Sequence, residues 1–209
     1  MTAEISFRAA LAVVMLLTVA VTAYHRLQAA SSGEWISHAE EGHVFALVLR
    51  LAGLFLWLSA VAYLLFPASI QWATFPLPVW VRWVGAIAGG LCSVLMFWTL
   101  SSLGKNLTDT VVTRAEATLV THGPYRWVRH PFYVTAALLM ASATALSANG
   151  LIGAGSLIVL ALLAVRTPKE EQMLIGRFGQ QYRDYMKRTG RFIPRMSRRM
   201  SHRPPRGEE

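Results

Sequence analysis

The sequence predicts an all-α, integral membrane fold of about five transmembrane helices, including a short C-terminal helical hairpin, followed by an amphipathic cytoplasmic helix. Three observations predict it. Of 209 residues, 54% are hydrophobic and only 15% charged, against about 25% charged in a soluble domain. The apolar residues gather in long runs separated by short polar stretches. The charge is lopsided, 20 Lys and Arg against 11 Asp and Glu, and it is segregated along the chain. This composition excludes a disordered or collagenous chain, and the single cysteine, Cys92, excludes a disulfide scaffold.

A spanning helix needs about 20 mainly apolar residues. Residues 5–24 supply the first, with Arg8 near its start; 44–66 the second, with Arg50; and 79–103 the third, with Arg82. The next apolar block, 132–165, is too long for one span and contains Asn149-Gly150, a turn signal. It reads as a hairpin of two short helices, each about 24–25 Å long, slightly thin for a full bilayer and suited to a shallow or locally thinned site. The chain thus divides into three N-terminal spans (1–103), a core of loop, hairpin and polar tail helix (104–195), and a basic, disordered tail (196–209).

All but four of the Lys and Arg residues (Arg8, Arg26, Arg50 and Arg82) lie in 104–131 or 166–209. By the positive-inside rule both segments face the cytoplasm, the protein sits in an inner or plasma membrane, and five spans put the N-terminus outside. A rival reading makes residues 9–23 a signal-peptide core cleaved after Val21-Thr22-Ala23, although Glu4 weakens its charged flank. Gly85-x-x-x-Gly89, Gly90, Gly153 and Gly155 permit close helix approach, and none follows a strand as a nucleotide-binding glycine would. Cys92, mid-span, is a buried inert thiol. Arg50 snorkels or pairs within the bundle.

Chemistry is expected where the two polar segments meet on one membrane face. The first, 117–133, reads Ala-Thr-Leu-Val-Thr-His-Gly-Pro-Tyr-Arg-Trp-Val-Arg-His-Pro-Phe-Tyr. Gly123-Pro124 marks a turn, and Pro131 keeps His130 extended just before the hairpin. One reading is an interfacial belt, with Tyr125, Trp127 and Tyr133 at headgroup level and Arg126 and Arg129 on lipid phosphate. The other makes His130 a hydrogen-bonding group toward a ligand.

The second segment opens at Arg166. Thr167-x-x-Glu170 with Pro168 at the first helical position predicts a capping-box helix start. The helix that follows, through Gln172 to Arg188, is amphipathic, with Leu174, Phe178, Tyr182 and Tyr185 on one face. Arg166 and Glu170 share a face. They form either a modest ion pair, worth about 0.3–0.5 kcal/mol if exposed, or a cradle for opposite ends of a zwitterionic ligand. His38, His43, Glu40 and Glu41 have no second cluster at ligand spacing, so no metal site is expected. The basic tail follows membrane spans, which makes membrane lipid, and not nucleic acid, its polyanion.

Five motifs in order resemble the isoprenylcysteine carboxyl methyltransferase family and its phospholipid methyltransferase relatives. They are Leu119-Val120-Thr121-x-Gly123-Pro124-Tyr125, Arg129-His130-Pro131-x-Tyr133, Arg166-Thr167-x-x-Glu170-Glu171, Phe178-Gly179-x-x-Tyr182-x-x-Tyr185, and Arg191-Phe192-Ile193-Pro194. The match covers roughly 100–195. The resemblance implies a membrane methyltransferase that uses S-adenosylmethionine without a Rossmann domain. The cofactor contacts it implies are Thr118, Leu119, Val120, Tyr125, His130, Pro131, Phe132, Tyr133 and Glu170. Arg166 is implied as the group that orients an acceptor carboxylate, and Arg166 and Glu170 as the catalytic pair. The sequence departs from the family at Ala117, where a histidine is common, and at Thr135, where a glycine is.

The implied acceptor is a lipid-like or isoprenoid small molecule that enters from the membrane. Two alternatives stand beside this reading: an NADPH-dependent enzyme resembling the C-terminal part of sterol reductases, and a non-catalytic membrane scaffold that keeps the fold. The acceptor's identity and the oligomeric state are not legible.

Overall fold

A computed structural model describes residues 2–30, 43–104 and 118–195. His38, Glu40, Glu41, Lys105, Arg114, Ala117 and the basic tail lie outside the described residues. The described elements are α1 (Thr2–Ala30), α2 (His43–Leu65), the short α3 (Pro67–Ile70) with a 3₁₀ turn (Gln71–Ala73), α4 (Val79–Leu103), a second 3₁₀ turn (Gly123–Arg126), α5 (Pro131–Ser147), α6 (Gly150–Phe178) and α7 (Gln180–Arg188). Four of them, α1, α2, α4 and α6, are long and apolar enough to cross a membrane, and α5 is a shorter apolar helix. The protein is an integral membrane, all-α bundle.

The helices assemble through small residues and a thin apolar core. α4 packs along α5 and α1, while α2 packs along α6. At Gly85 a Cβ would stand 3.0 Å from both the Leu146 amide and the Ser142 carbonyl, so only glycine lets α4 lie this close to α5. Phe7, Leu11, Ala60, Tyr63, Ile70, Leu146 and Ile152 form the core cluster, drawn from α1, α2, α3, α5 and α6. Phe7 and Leu11 are fully buried, so cleavage after Ala23 would strip the core of two of its side chains. The large apolar side chains on the outer faces of α1, α2 and α4, such as Leu16, Trp57 and Leu91, are exposed, as lipid contact requires. Arg50 is exposed on α2, and Cys92 is buried.

One polar knot sits in this core. Arg82 donates to the Glu4 carboxylate, to the Tyr63 hydroxyl at 3.0 Å and to the Leu146 carbonyl at 3.0 Å, and it lies 3.8 Å from the Phe7 ring centroid. It ties α1, α2, α4 and α5 together at the end where the hairpin turns. The turn is built differently from a simple Asn-Gly pair. Ala148 takes the left-handed conformation (φ 49°), and Asn149 is the cap of α6. Its side-chain oxygen accepts from the Leu151 amide at 3.0 Å, and its amide nitrogen donates to the Ile70 carbonyl at 3.1 Å.

Two sequence expectations fail in α6 and beyond. The expected helix start at Thr167 does not exist: α6 runs unbroken from Gly150 to Phe178 with Pro168 inside it. The Thr167 hydroxyl donates back to the Leu163 carbonyl at 2.8 Å instead of capping. A proline there removes the hydrogen bond to the carbonyl four residues earlier, but Pro168 is exposed, while Val159, Leu163, Thr167 and Glu171 continue one buried stripe at a spacing of four. Packing along that stripe overrides the local signal. The hairpin arms are therefore unequal: α5 has 17 residues and α6 has 29, about 25 and 43 Å of helix. Nor does the tail helix run continuously to Arg188, because Gly179 (φ 55°) breaks it and α7 starts anew at Gln180.

Candidate functional site

The apolar part of α6 ends at Val165. From Arg166 onward the helix projects beyond the hydrocarbon and carries Arg, Lys and two Glu residues toward the loop before α5. That loop is set by Pro131, the first residue of α5, which excludes helical geometry at His130 (φ −120°, ψ 60°) and turns Arg129 and His130 toward α6. After α7 the chain returns as a strap beside the loop. The Arg129 amide donates to the Gly190 carbonyl at 2.9 Å and the His130 amide to the Arg191 carbonyl at 3.1 Å. Gly190 is required there, since a Cβ would fall on the Ile193 carbonyl.

Glu171 is the hub of this junction. It is 3% exposed. Its Oε1 accepts from Arg129 Nε at 2.9 Å and His130 Nε2 at 3.3 Å, and its Oε2 accepts from Arg191 at 2.5 Å. Arg129 also donates to the Met186 carbonyl at 3.3 Å and the Thr189 carbonyl at 2.5 Å, so one guanidinium joins loop, α6, α7 and strap. Burial alone pushes the Glu171 carboxyl up, but the hydrogen bonds from His130, Arg191 and Arg129 outweigh it and hold the group at about 2. It is an ionised, fully occupied structural carboxylate.

Glu170, its neighbour, faces differently. Its Oε2 accepts from the Tyr133 hydroxyl at 2.6 Å, and its Oε1 stands 3.9 Å from His130 Nδ1, beyond hydrogen-bond reach. Its side chain is 26% exposed, against 4% for Glu171. His130 stacks on Tyr133 with ring centroids 5.4 Å apart and planes 7° from parallel, and Phe192 of the strap lies 5.8 Å away. Beneath them the Tyr185 hydroxyl donates to the Tyr125 carbonyl at 2.6 Å. Burial pushes the Tyr185 phenol up to about 12, so it keeps the proton it donates.

The structure brings His130, Pro131, Phe132, Tyr133 and Glu170 together at the start of α5, with Tyr125 buried just below. Arg166 lies one turn before Glu170 on the same face of α6, half-buried, and Glu170 accepts from the Tyr133 hydroxyl. Thr118, Leu119 and Val120 are carried on the segment leading into the loop, exposed, half-buried and buried respectively. The interfacial-belt reading survives only at Trp127, which is exposed and holds Arg126 at 4.2 Å over its ring. Tyr125, Tyr133 and Arg129 point inward.

Sequence reasoning gave Glu171 and Arg191 no role of their own and placed Arg129 on lipid phosphate or a ligand, whereas the structure turns it to Glu171. The signal for Glu171 was the buried stripe of α6: carried through Pro168 at a spacing of four, it reaches Glu171 and not Glu170.

Comparison with known proteins follows the same segments. Residues 87–176 match the family described as the isoprenylcysteine carboxyl methyltransferase (ICMT) family. A protein-S-isoprenylcysteine O-methyltransferase of Dictyostelium discoideum is 28% identical over 182 residues, which cover 83% of this chain and 69% of that one. The namesake in Tribolium castaneum is 34% identical over 122 residues, covering 54% of this chain and 43% of its own. A solved structure of the eukaryotic intramembrane Ras methyltransferase ICMT superposes with a TM-score of 0.51 at 28% identity, covering 76% of this chain and 54% of that one. The chain thus spans about half the length of the solved relative and less than half of the beetle protein.

Proposed function

Since the chain belongs to the isoprenylcysteine carboxyl methyltransferase family of integral membrane methyltransferases, we propose that it transfers a methyl group from S-adenosylmethionine to an amphipathic, lipid-like carboxylate oriented by Arg166. The observation that carries this reading is the junction itself. The Arg129-His130-Pro131-x-Tyr133 motif and the Glu170-Glu171 pair, far apart in sequence, are hydrogen-bonded to each other at one end of an apolar bundle.

The residues present fit a cationic cofactor. Glu170 is a half-buried carboxylate whose single ion-pair-range contact among the described residues is His130 Nδ1, at 3.9 Å. The cofactor supplies an activated methyl on a sulfonium. This chain's residues then need chiefly to bind, align and exclude water, work for which effective molarity provides about 7–11 kcal/mol. A carboxylate acceptor is ionised at neutral pH, so no general base is required. Arg166 suits it, because a guanidinium grips a carboxylate through two parallel hydrogen bonds. Glu170 offsets the cofactor's positive charge, and the strap, held by Arg191 and Arg129 on Glu171, keeps water out. The acceptor enters from the bilayer, with loop and tail on the cytoplasmic side, as the basic residues of those segments favour.

Binding of labelled S-adenosylmethionine to the purified full chain tests the proposal, followed by methyl transfer to a total-lipid extract with the product identified by mass. Saturable binding weakened by Glu170→Ala and Tyr133→Ala is expected. No saturable binding refutes it, and saturable NADPH binding in its place supports the reductase alternative.

A further inference from the structure

The end of the bundle away from the polar junction holds one charge more than its own partners neutralise. Glu4 lies in the first turn of α1, and Arg8 follows it by four residues, the spacing at which a carboxylate and a guanidinium on one helix can pair. Among the described residues Glu4 pairs with Arg82 of α4 instead. Arg82 grips both carboxylate oxygens through its two terminal nitrogens, and Glu4 Oε2 also accepts from the Tyr63 hydroxyl at 3.4 Å. Arg8 is left with the Tyr63 ring, whose centroid lies 5.9 Å from the guanidinium carbon. Its Nε is buried and has no hydrogen-bond partner among the described residues.

Two guanidiniums, one carboxylate and a neutral phenol leave one positive charge. A desolvated cation is stable only when paired and hydrogen-bonded, so this one recruits an anion from its surroundings. Those surroundings narrow the choice. Arg82 donates to the carbonyl of Leu146, the last residue but one of α5, so the cluster lies at the level where the hairpin turns back. Trp72 and Trp80 are exposed at the same end, and tryptophan settles at the depth of lipid headgroups. Arg8 is half-buried, where α1, packed mainly along α4, faces Tyr63 of α2. The anion a phospholipid leaflet presents at that depth is a phosphodiester. It carries a single negative charge, which cancels the surplus, and its oxygens match the forked donors of a guanidinium.

We propose that Arg8, backed by Tyr63 and the Arg82–Glu4 pair, is a binding site for the phosphodiester of a phospholipid in the leaflet opposite the polar junction, and that this lipid joins α1 to α2. Arg8 touches the lipid. Glu4 does not compete for Arg8, because Arg82 and Tyr63 already occupy its oxygens.

The test uses the full chain, delipidated in detergent, with phosphatidylglycerol, diacylglycerol and inorganic phosphate as probes. Diacylglycerol is the lipid without its phosphodiester, and inorganic phosphate is the anion without its chains. Phosphatidylglycerol is expected to raise the melting temperature of the wild type, and the other two to leave it nearly unchanged. Arg8→Gln is expected to need about tenfold more phosphatidylglycerol for the same rise, the scale of a charge-assisted hydrogen bond. Arg8→Lys falls between, because it keeps the charge and loses the fork. The basic residues at the other end of the bundle are common to all three chains and cancel from the comparison. An identical lipid response in wild type and Arg8→Gln overturns the proposal. So does a melting loss in Arg8→Gln that is equal with and without lipid, the mark of a merely structural contact with Tyr63. Stabilisation by inorganic phosphate equal to that by the lipid overturns it as well. A phosphatidylglycerol with a photoreactive headgroup, used on the wild type, removes dependence on the variants' folding: adducts within 2–8 or 62–66 support the site, and adducts confined to the opposite end overturn it.

Discussion

Replacing Glu171 by Gln removes one charge from a side chain that is 3% exposed while nearly preserving its shape. The carboxyl lies at about 2 in the fold against an ordinary 4.5, a difference worth about 3 kcal/mol of folding stability at neutral pH. The cost of removing one partner of a buried ion pair, about 3–5 kcal/mol, agrees. Because the folded value is depressed, this stability is fully present above the unfolded value and is lost as pH falls through the folded one. Thermal unfolding in detergent, followed by the fluorescence of the chain's seven tryptophans, measures it. Near neutral pH the variant should melt about 6–12 °C below wild type. At about pH 3 the gap should shrink to roughly 1 kcal/mol, because by then the unfolded wild type has already taken up its proton. A gap of equal size at both pH values would falsify the assignment of Glu171 as the ionised hub.

The other predictions concern the parts that hold this hub in place. Arg82→Met removes the donor shared by Glu4, Tyr63 and the Leu146 carbonyl and should destabilise by about 3–5 kcal/mol, seen as earlier unfolding in detergent and release of α1 to protease. Gly85→Ala sets a methyl against the α5 backbone, whereas Gly89→Ala meets only the Val14 side chain at 3.0 Å and Ser142 Cβ at 3.6 Å. The first should cost about 1–3 kcal/mol and the second clearly less, because side chains yield where backbone does not; equal melting points would contradict the α4–α5 contact. Gly190→Ala collides with the Ile193 carbonyl and should release the strap with Arg191, so that melting falls by less than in Glu171→Gln while cofactor affinity falls at least about tenfold.

Some of this was legible from residues alone because it depends only on near neighbours. Hydrocarbon tolerates backbone only when it is helical and its side chains are apolar, so each span announces itself as a run. The break after Ser147, the extended His130 before Pro131 and the glycine face of α4 are local in the same way. Capping rules are local too, and there they misled: Thr167, Pro168 and Glu170 satisfy the pattern of a helix start, and the chain ignores it because the Thr167 hydroxyl bonds back to Leu163 within α6 and Glu171 has a partner to reach on another element.

The sequence by itself determined a membrane bundle with its polar segments gathered on one face, and it placed His130, Tyr133 and Glu170 among the candidates. Only the tertiary structure decided which of two adjacent glutamates is buried under three donors and which stays partly exposed beside Tyr133. The physical reason is helical phase. One residue turns a helix by about 100°, and whether that turn points into the core or toward Tyr133 depends on partners such as Arg129 and Arg191, which lie 42 and 20 residues from Glu171 along the chain and meet it only in the fold.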